Sequence, residues 1–179
     1  IHATGNPRVD LLRPEVRDYF APDCARIKQR HGDYILVNTN FSFTNPFLKD
    51  IALVRERGLF GRPKSRTAVG MSGEFADAMV ARQEKIFAQF RELMPALAAQ
   101  FPDRKIILRP HPSEDHDLWR TLVAGDANVE VLHDGNVVPW LMSASVLIHN
   151  GCTTAVEAAL ADRPTIAFRP VQSQQLDYA

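Results

Sequence analysis

Two short polar turns carry the residue types with which proteins hold anions. The sequence Arg-Pro-His-Pro at 109–112 follows one apolar run, and Asn-Gly-Cys-Thr-Thr at 150–154 follows another and precedes a helical pattern. Arginine and histidine donate hydrogen bonds to phosphate, and a helix N-terminus presents free N–H groups with a partial positive charge. Turns that follow parallel strands meet in the crevice where open α/β sheets bind ligands. The two turns therefore predict one anion site, suited above all to phosphate.

The first turn offers two side chains that donate hydrogen bonds. His111 lies between two prolines, which fix its backbone direction, and a ring N–H can donate to phosphate. Arg109 can hold phosphate with both arms of its guanidinium. Two alternatives stay open: a buried histidine bonded to its own turn, and an arginine in a structural ion pair at the sheet edge.

The second turn offers backbone amides and hydroxyls. Gly151 permits a backbone geometry that a side chain would oppose, and Thr153 or Thr154 can cap the helix. These hydroxyls either contact a ligand as well or serve the helix alone. Because helix N-termini lower thiol pKa values, Cys152 is also a candidate nucleophile with His149 as its base, although no Gly-x-Ser-x-Gly-like elbow is present.

Further polar residues allow both a functional and a structural interpretation. Thr39 and Asn40 follow a buried strand, so their polar groups are candidates for binding a sugar, ribose or phosphate; local Asx turns explain them nearly as well. Four potential metal ligands lie close together in the sequence: His111, Asp115, His116 and Asp117. Such residues at a helix start more often face water, so no metal is predicted.

Five strands must position these turns. Apolar runs typical of buried parallel strands predict them at 34–38, 105–109, 129–132, 145–149 and 165–168. A helical stripe predicts a long helix with Ser72 as its N-cap and with a kink or an interruption at Pro95, near its end. Shorter helices are expected from 113, over 137–142 and over 154–161. The alternation predicts an α/β fold with a Rossmann-like doubly wound parallel sheet.

The remaining segments predict a single domain over 1–179, since this length buries a sizeable core. Arg13-Pro14-Glu15 predicts a short helix with Pro14 in its first turn. Residues 39–73 combine glycines and basic residues without clean periodicity. They predict a loop-rich, partly helical excursion that is the least ordered internal region.

Composition gives no support for nucleic acid as a partner or for a membrane-spanning segment. The formal net charge of +0 gives no argument for nucleic acid. No apolar run is long enough to span a membrane, and no secretory signal is visible. Two unpaired cysteines are typical of a reducing cytosol. The sequence predicts a cytoplasmic location, with the inner face of the membrane as the alternative.

The turn Thr-Gly-Asn-Pro-Arg at 4–8, the His-Pro turn at 109–112 and the turn at 150–154 with Glu157 resemble the carboxyl-terminal half of two-domain GT-B proteins. The resemblance is to bacterial surface-carbohydrate biosynthesis proteins of capsule and lipopolysaccharide assembly. The His-Pro turn is also similar to that of bacterial sialyltransferases, Kdo transferases and teichoic-acid glycerophosphotransferases. The order of elements matches over nearly the whole chain.

The resemblance implies the nucleotide-sugar-binding domain of a glycosyltransferase. His111 would contact the donor phosphate with Arg109 beside it, the 151–154 turn would cradle it from the opposite side, and Glu157 would bind ribose or sugar. An acid that complements the helix dipole is the alternative for Glu157. The His-Pro turn favours a CMP- or CDP-linked donor, and no cofactor is expected. The catalytic base would lie in an amino-terminal partner domain outside this chain, so this chain alone is expected to be inactive.

Two other functions stay open. A UDP-sugar 2-epimerase shares the GT-B fold, but it needs carboxylates and a histidine from both halves, and its paired acidic motif is not present here. A non-catalytic module that binds a nucleotide or polysaccharide is the third possibility.

Overall fold

The computed structural model of the chain describes residues 5–47 and 73–171. Five parallel strands form one sheet in the order β3-β2-β1-β4-β5. The strands are β1 Tyr34–Asn38, β2 Lys105–Arg109, β3 Val129–Val131, β4 Val146–His149 and β5 Thr165–Ala167. Each predicted strand is confirmed, with ends that agree to within one residue.

Helices connect and cover the strands. They are α1 Pro7–Asp10, a 3-10 helix Arg17–Phe20, α2 Ala21–His31, α3 Gly73–Gln100, α4 His116–Leu122, α5 Val137–Ser143 and α6 Thr154–Leu160. The predicted helices over 137–142 and 154–161 are confirmed. Helix α4 begins at His116, because the side chain of Asp115 accepts a hydrogen bond from the Asp117 amide and caps it.

Both faces of the sheet are buried at β1, where all five residues are buried, and this explains the continuous apolar character of that strand. Ile35 and Val37 belong to one apolar cluster with side chains of α3 and α4. Tyr34 and Leu36 belong to a second cluster with side chains of α2, α5 and α6. Fully burying such a side chain stabilises the fold by about 1.5–3 kcal/mol. The predicted Rossmann-like doubly wound sheet is therefore correct.

The loop after β1 is packed over residues 39–47. Phe41 is 1% exposed, and its ring lies 5.0 Å from that of Phe87 and 5.3 Å from that of Phe90. Asn45 also binds the next loop of the sheet edge, since its side-chain amide donates to the Asp115 carbonyl at 2.9 Å. Over residues 39–47 the predicted loop-rich excursion is thus a loop without a helix, whereas Gly73 at its other end is the first residue of α3. Residues 48–72 lie outside the described residues.

The segment before β1 differs from the prediction. Pro14 lies in a turn and opens no helix. Instead Pro7 starts α1, with the Asn6 side chain accepting a hydrogen bond from the Arg8 amide at 3.1 Å. Leu12 and Phe20 then bury their side chains against Val138 of α5, and these contacts hold the segment against that helix.

The long helix also differs from the prediction in one respect. Pro95 lies inside α3, and the helix continues through it to Gln100. Of the two outcomes predicted at Pro95, the interruption is therefore wrong, and the kink stays a prediction. The predicted N-cap, Ser72, lies outside the described residues.

Candidate functional site

The register of the sheet brings the two predicted turns together. Asn38, the last residue of β1, pairs with Arg109 on one side and with His149 on the other. Strands β1, β2 and β4 therefore end at one level, and the turns that follow them share one edge of the sheet. This confirms that His111 and the 151–154 turn lie at the same edge.

A cleft of about 480 Å³ opens at this edge. Among the described residues it is lined by Arg8, Asn38, Thr39, Asn40, Arg109, Pro110, His111, Pro112, His133, Gly135, Asn136, Val137, Gly151, Cys152, Thr153 and Thr154. Of the predicted site residues, only Glu157 is not in this lining. No carboxylate of the described chain lines the cleft, whereas two arginines and two histidines do.

A buried carboxylate builds the His-Pro side of the cleft. Glu114 is 1% exposed. Its Oε1 accepts hydrogen bonds from the Thr39 hydroxyl at 2.8 Å and from the Phe41 and His111 amides, both at 3.0 Å. Its Oε2 accepts from Trp119 Nε1 at 2.9 Å. Glu114 thus joins the loops after β1 and β2, and it fixes the backbone position from which the His111 side chain extends.

The hydrogen bonds of the His111 ring define its tautomer. The Ser113 amide donates to His111 Nδ1 at 3.2 Å, so Nδ1 must carry a lone pair. The proton of the neutral ring then lies on Nε2, which has no partner among the described residues. Both earlier interpretations hold in part: His111 is bonded to its own turn through Nδ1, and it keeps a free donor at the cleft.

Two further histidines hold the backbone of this turn. His116 Nε2 donates to the His111 carbonyl, and His133 Nδ1 donates to the Pro110 carbonyl, each at 3.0 Å. Burial, and next the charge of Arg109, lower the pKa of His133. His133 lines the cleft and was not among the predicted site residues. It follows β3, so the argument from strand ends used for the other turns applies to it equally.

Arg109 is buried, and its guanidinium serves the neighbouring loop. The two terminal nitrogens donate to the carbonyls of Asp134 and Gly135 at 2.9 and 3.3 Å. The guanidinium carbon lies 5.1 Å from the centre of the Trp140 ring, within the range of a cation–π interaction. Burial lowers the pKa of Arg109 to about 10. Arg109 therefore keeps its charge at neutral pH at the floor of the cleft, while it shapes the loop before α5.

The loops after β1 and β4 are joined across the cleft. The Asn40 amide donates to Asn150 Oδ1 at 2.9 Å, and Asn150 Nδ2 donates back to the Asn40 carbonyl at 3.2 Å. Asn38 Nδ2 donates to the Thr154 hydroxyl at 3.1 Å, while the buried Asn38 Oδ1 has no partner among the described residues. Thr39 bonds Glu114, so Asn40 is the more accessible of the two predicted sugar contacts.

The turn at 150–154 has the predicted glycine geometry. Gly151 has φ +99, a conformation that side chains oppose, and its amide donates to His149 Nδ1 at 3.0 Å. Thr153 occupies the N-cap position of α6 without a side-chain capping bond, and the Thr154 hydroxyl binds Asn38. The prediction of a capping hydroxyl is wrong for Thr153, whose hydroxyl stays available to a ligand.

Cys152 lacks the properties of a nucleophile. Burial raises the pKa of its thiol, opposite to the effect expected from a helix N-terminus. One ring nitrogen of the candidate base is also occupied, because His149 Nδ1 accepts from the Gly151 amide, and burial lowers the pKa of His149. Cys152 therefore contributes shape and backbone to the cleft.

Glu157 is buried on α6 and forms an ion pair with Arg8 of α1. Arg8 Nε donates to Glu157 Oε1, while Glu157 Oε2 is buried with no partner among the described residues. The pairing places the segment before β1 against the helix that follows the 150–154 turn. A role of Glu157 in binding ribose or sugar stays a prediction.

Two structural properties concern metals and membranes. Within 5–47 and 73–171, no three His, Cys, Asp or Glu side chains are arranged to hold a metal ion. The three candidate ligands besides His111 are used otherwise, since Asp115 caps α4, Asp117 pairs with Arg120 and His116 binds a carbonyl. None of the helices in the described part of the chain is both long and apolar enough to cross a membrane.

No protein-family model matches the chain, and no curated protein matches it. Among solved structures, it is similar to the UDP-GlcNAc 2-epimerase of Methanocaldococcus jannaschii in complex with UDP-GlcNAc and UDP, with 15% identity and a TM-score of 0.47. The similarity covers 93% of this chain and 38% of that one, so the chain spans well under half of the epimerase. The sheet order and the cleft themselves define the class: a Rossmann-like α/β domain with a polar cleft at the carboxyl edge of its sheet.

Proposed function

We propose that this chain binds the nucleotide-sugar donor of a glycosyltransferase in bacterial surface polysaccharide synthesis, of capsule or lipopolysaccharide. The observation that carries the proposal is the cleft, whose described lining holds two arginines and two histidines but no carboxylate. Such a lining favours an anion, because both of its arginines carry a positive charge and no carboxylate in the described lining opposes them. The proposed location of the protein is the cytoplasm or the inner face of the cell membrane.

The donors of the cleft suit the chemistry of glycosyl transfer. In that reaction the bond to the nucleotide breaks through an oxocarbenium-like transition state, and negative charge grows on the departing phosphate. Hydrogen-bond donors that are already in position before this charge develops lower the activation barrier. The His111 Nε2–H and the Thr153 hydroxyl are free among the described residues, and Arg109 adds a buried positive charge.

The volume of the cleft fits the same class of ligand. At about 480 Å³ it lies within the range of about 300–1,000 Å³ found for small-molecule and cofactor sites. We propose that the nucleotide of the donor is a cytidine nucleotide, CMP or CDP. An amino-terminal partner domain would close the cleft and supply the acceptor site and the catalytic base.

Calorimetric titration of the chain with CMP, CDP, UDP and GDP tests this function. We expect binding of a cytidine nucleotide, and His111→Ala to weaken it by about 1.5–3 kcal/mol, the contribution of a hydrogen bond to a charged group. His116→Ala is the matched control, because it disturbs the same turn and removes no group from the cleft. If none of the four nucleotides binds, the proposed function is wrong. If His116→Ala weakens binding as much as His111→Ala, the direct contact is wrong.

A further inference from the structure

We propose that Arg8, on the segment before β1, is a phosphate-binding residue of the cleft. The inference rests on the proposed function only for the nucleotide; the phosphate contact itself applies to any phosphate or pyrophosphate group. Nothing in the strand-end argument points to this residue, because Arg8 lies on α1 and follows none of the strands in the described part of the chain. It lines the same cleft as His111 and the 151–154 turn.

The contacts of Arg8 leave its terminal nitrogens free. Its Nε donates to Glu157 Oε1, and 60% of the side chain is exposed. Neither terminal nitrogen has a partner among the described residues. Arg109 is the other arginine of the cleft, and both of its terminal nitrogens are held by carbonyls. Within the described lining, Arg8 is therefore the arginine with two unpartnered terminal nitrogens, and this end of its guanidinium can bind a phosphate through two parallel hydrogen bonds.

The ion pair with Glu157 gives the guanidinium a defined position. A guanidinium that is held through Nε keeps its two-nitrogen end free for a second acidic group. The segment that bears Arg8 is itself fixed, because Asn6 caps α1 and the side chains of Leu12 and Phe20 pack against Val138. A phosphate at the cleft would thus find the guanidinium in place, so little side-chain freedom is lost on binding.

The competing explanation is that Arg8 only balances the buried carboxylate of Glu157. Removing one partner of a buried ion pair leaves an uncompensated charge, so Arg8→Gln alone can unfold the chain. Arg8→Lys avoids this difficulty, because an ammonium still pairs with Glu157. A lysine offers a point charge without the planar fork, so it cannot serve Glu157 and bind phosphate with two parallel hydrogen bonds at once.

Calorimetric titration with CDP, inorganic pyrophosphate and cytidine tests the inference. We expect Arg8→Lys to weaken CDP and pyrophosphate binding about 10- to 100-fold and to leave cytidine binding within about twofold, because cytidine has no phosphate. Arg13→Lys is the matched control: this arginine lies on the same segment, is 66% exposed and pairs with Asp10, but does not line the cleft.

Each outcome separates the two proposals. If the wild-type chain binds CDP but Arg8→Lys binds it equally well, Arg8 is a structural partner of Glu157 and the inference is wrong while the proposed function stands. If the wild-type chain binds pyrophosphate but no nucleotide, and Arg8→Lys weakens the binding of pyrophosphate, the phosphate contact stands and the nucleotide function is wrong. Equal weakening by Arg13→Lys also contradicts a direct contact, and absence of all binding overturns both proposals.

Discussion

Replacing Glu114 by glutamine should destabilise the domain far more than the change of one atom suggests. The carboxylate accepts four hydrogen bonds and donates none. A glutamine has one carbonyl oxygen and one NH₂ group, which donates only. With its oxygen towards Thr39 and the two backbone amides, the new NH₂ group faces the indole N–H of Trp119. Turned the other way, it faces both backbone amides.

The magnitude follows from the better of the two orientations. One charge-assisted hydrogen bond is lost and the buried Trp119 N–H is left unpaired, which costs about 1–3 kcal/mol. The three bonds that remain become neutral ones, worth about 0.5–1.5 kcal/mol each in place of about 1.5–3. Relief from burying a charge offsets part of this. We expect Glu114→Gln to lower the free energy of unfolding by about 3 kcal/mol, within the total of about 5–15 kcal/mol that domains possess.

Urea unfolding followed by circular dichroism measures this change, and a double-mutant cycle with Trp119→Phe assigns it. Trp119→Phe removes the indole donor, so it should cost less in the Glu114→Gln background, where that donor is already unpaired. The coupling energy should therefore be at least about 0.5 kcal/mol, as found for residues in direct contact. A loss below about 0.5 kcal/mol in Glu114→Gln, or additive effects in the cycle, would show that the carboxylate does not organise these loops.

Three further results are expected. Burial lowers the pKa values of His31 and His149 below the ordinary 6.5. Unfolding therefore takes up protons as the pH falls below about 6.5. The free energy of unfolding should then decline by at most about 1.4 kcal/mol per pH unit for each histidine. Urea unfolding at pH 7.5 and 5.5 checks this, and His149→Gln should reduce the dependence. Leu147→Ala, at a 1% exposed position, should lower the free energy of unfolding by about 2–5 kcal/mol. Ile166→Thr, at a 52% exposed position of the sheet, should change it by no more than about 0.5 kcal/mol. Similar losses in both variants would contradict the assigned core. Gly151→Ala should cost about 1–2 kcal/mol, because its φ of +99 opposes a side chain even though the space around it is open, and an unchanged melting temperature would show that the turn adapts.

The sequence predicted the sheet well because burial on both faces leaves a strong mark. A strand such as Tyr34–Asn38 has to be apolar on both faces, and its ends fall where polar residues begin. From the strand ends alone it followed that Asn40, His111 and Gly151 share one edge, since parallel strands all end on the same side. The same argument, applied to β3, would have included His133.

What the sequence did not predict depends on contacts between distant segments. An acid before a helix usually faces water, and nothing local shows that Glu114 turns inward to meet Trp119 and the loop after β1. The pairing of Arg8 with Glu157 is likewise invisible before the sheet is assembled. The error at Pro14 has a local origin, because Pro7 and Pro14 both suit a first helical turn and only Asn6 supplies the capping oxygen.

The central position of β1 has a consequence for how the chain folds during synthesis. Strand β1 comes before the other four strands of the described sheet along the chain, yet both of its neighbours come much later: Tyr34 pairs with Lys105, and Ile35 pairs with Val146. None of the strand pairs in the described sheet is a hairpin that could form early, since every one of them is parallel and needs a crossover. Non-local pairings of this kind fold slowly and leave apolar strands unpaired in the meantime. The middle of the sheet, with the edge that forms the cleft, can close only after β4 has been made, so a nascent chain that stalls before residue 146 should depend on chaperones for its solubility.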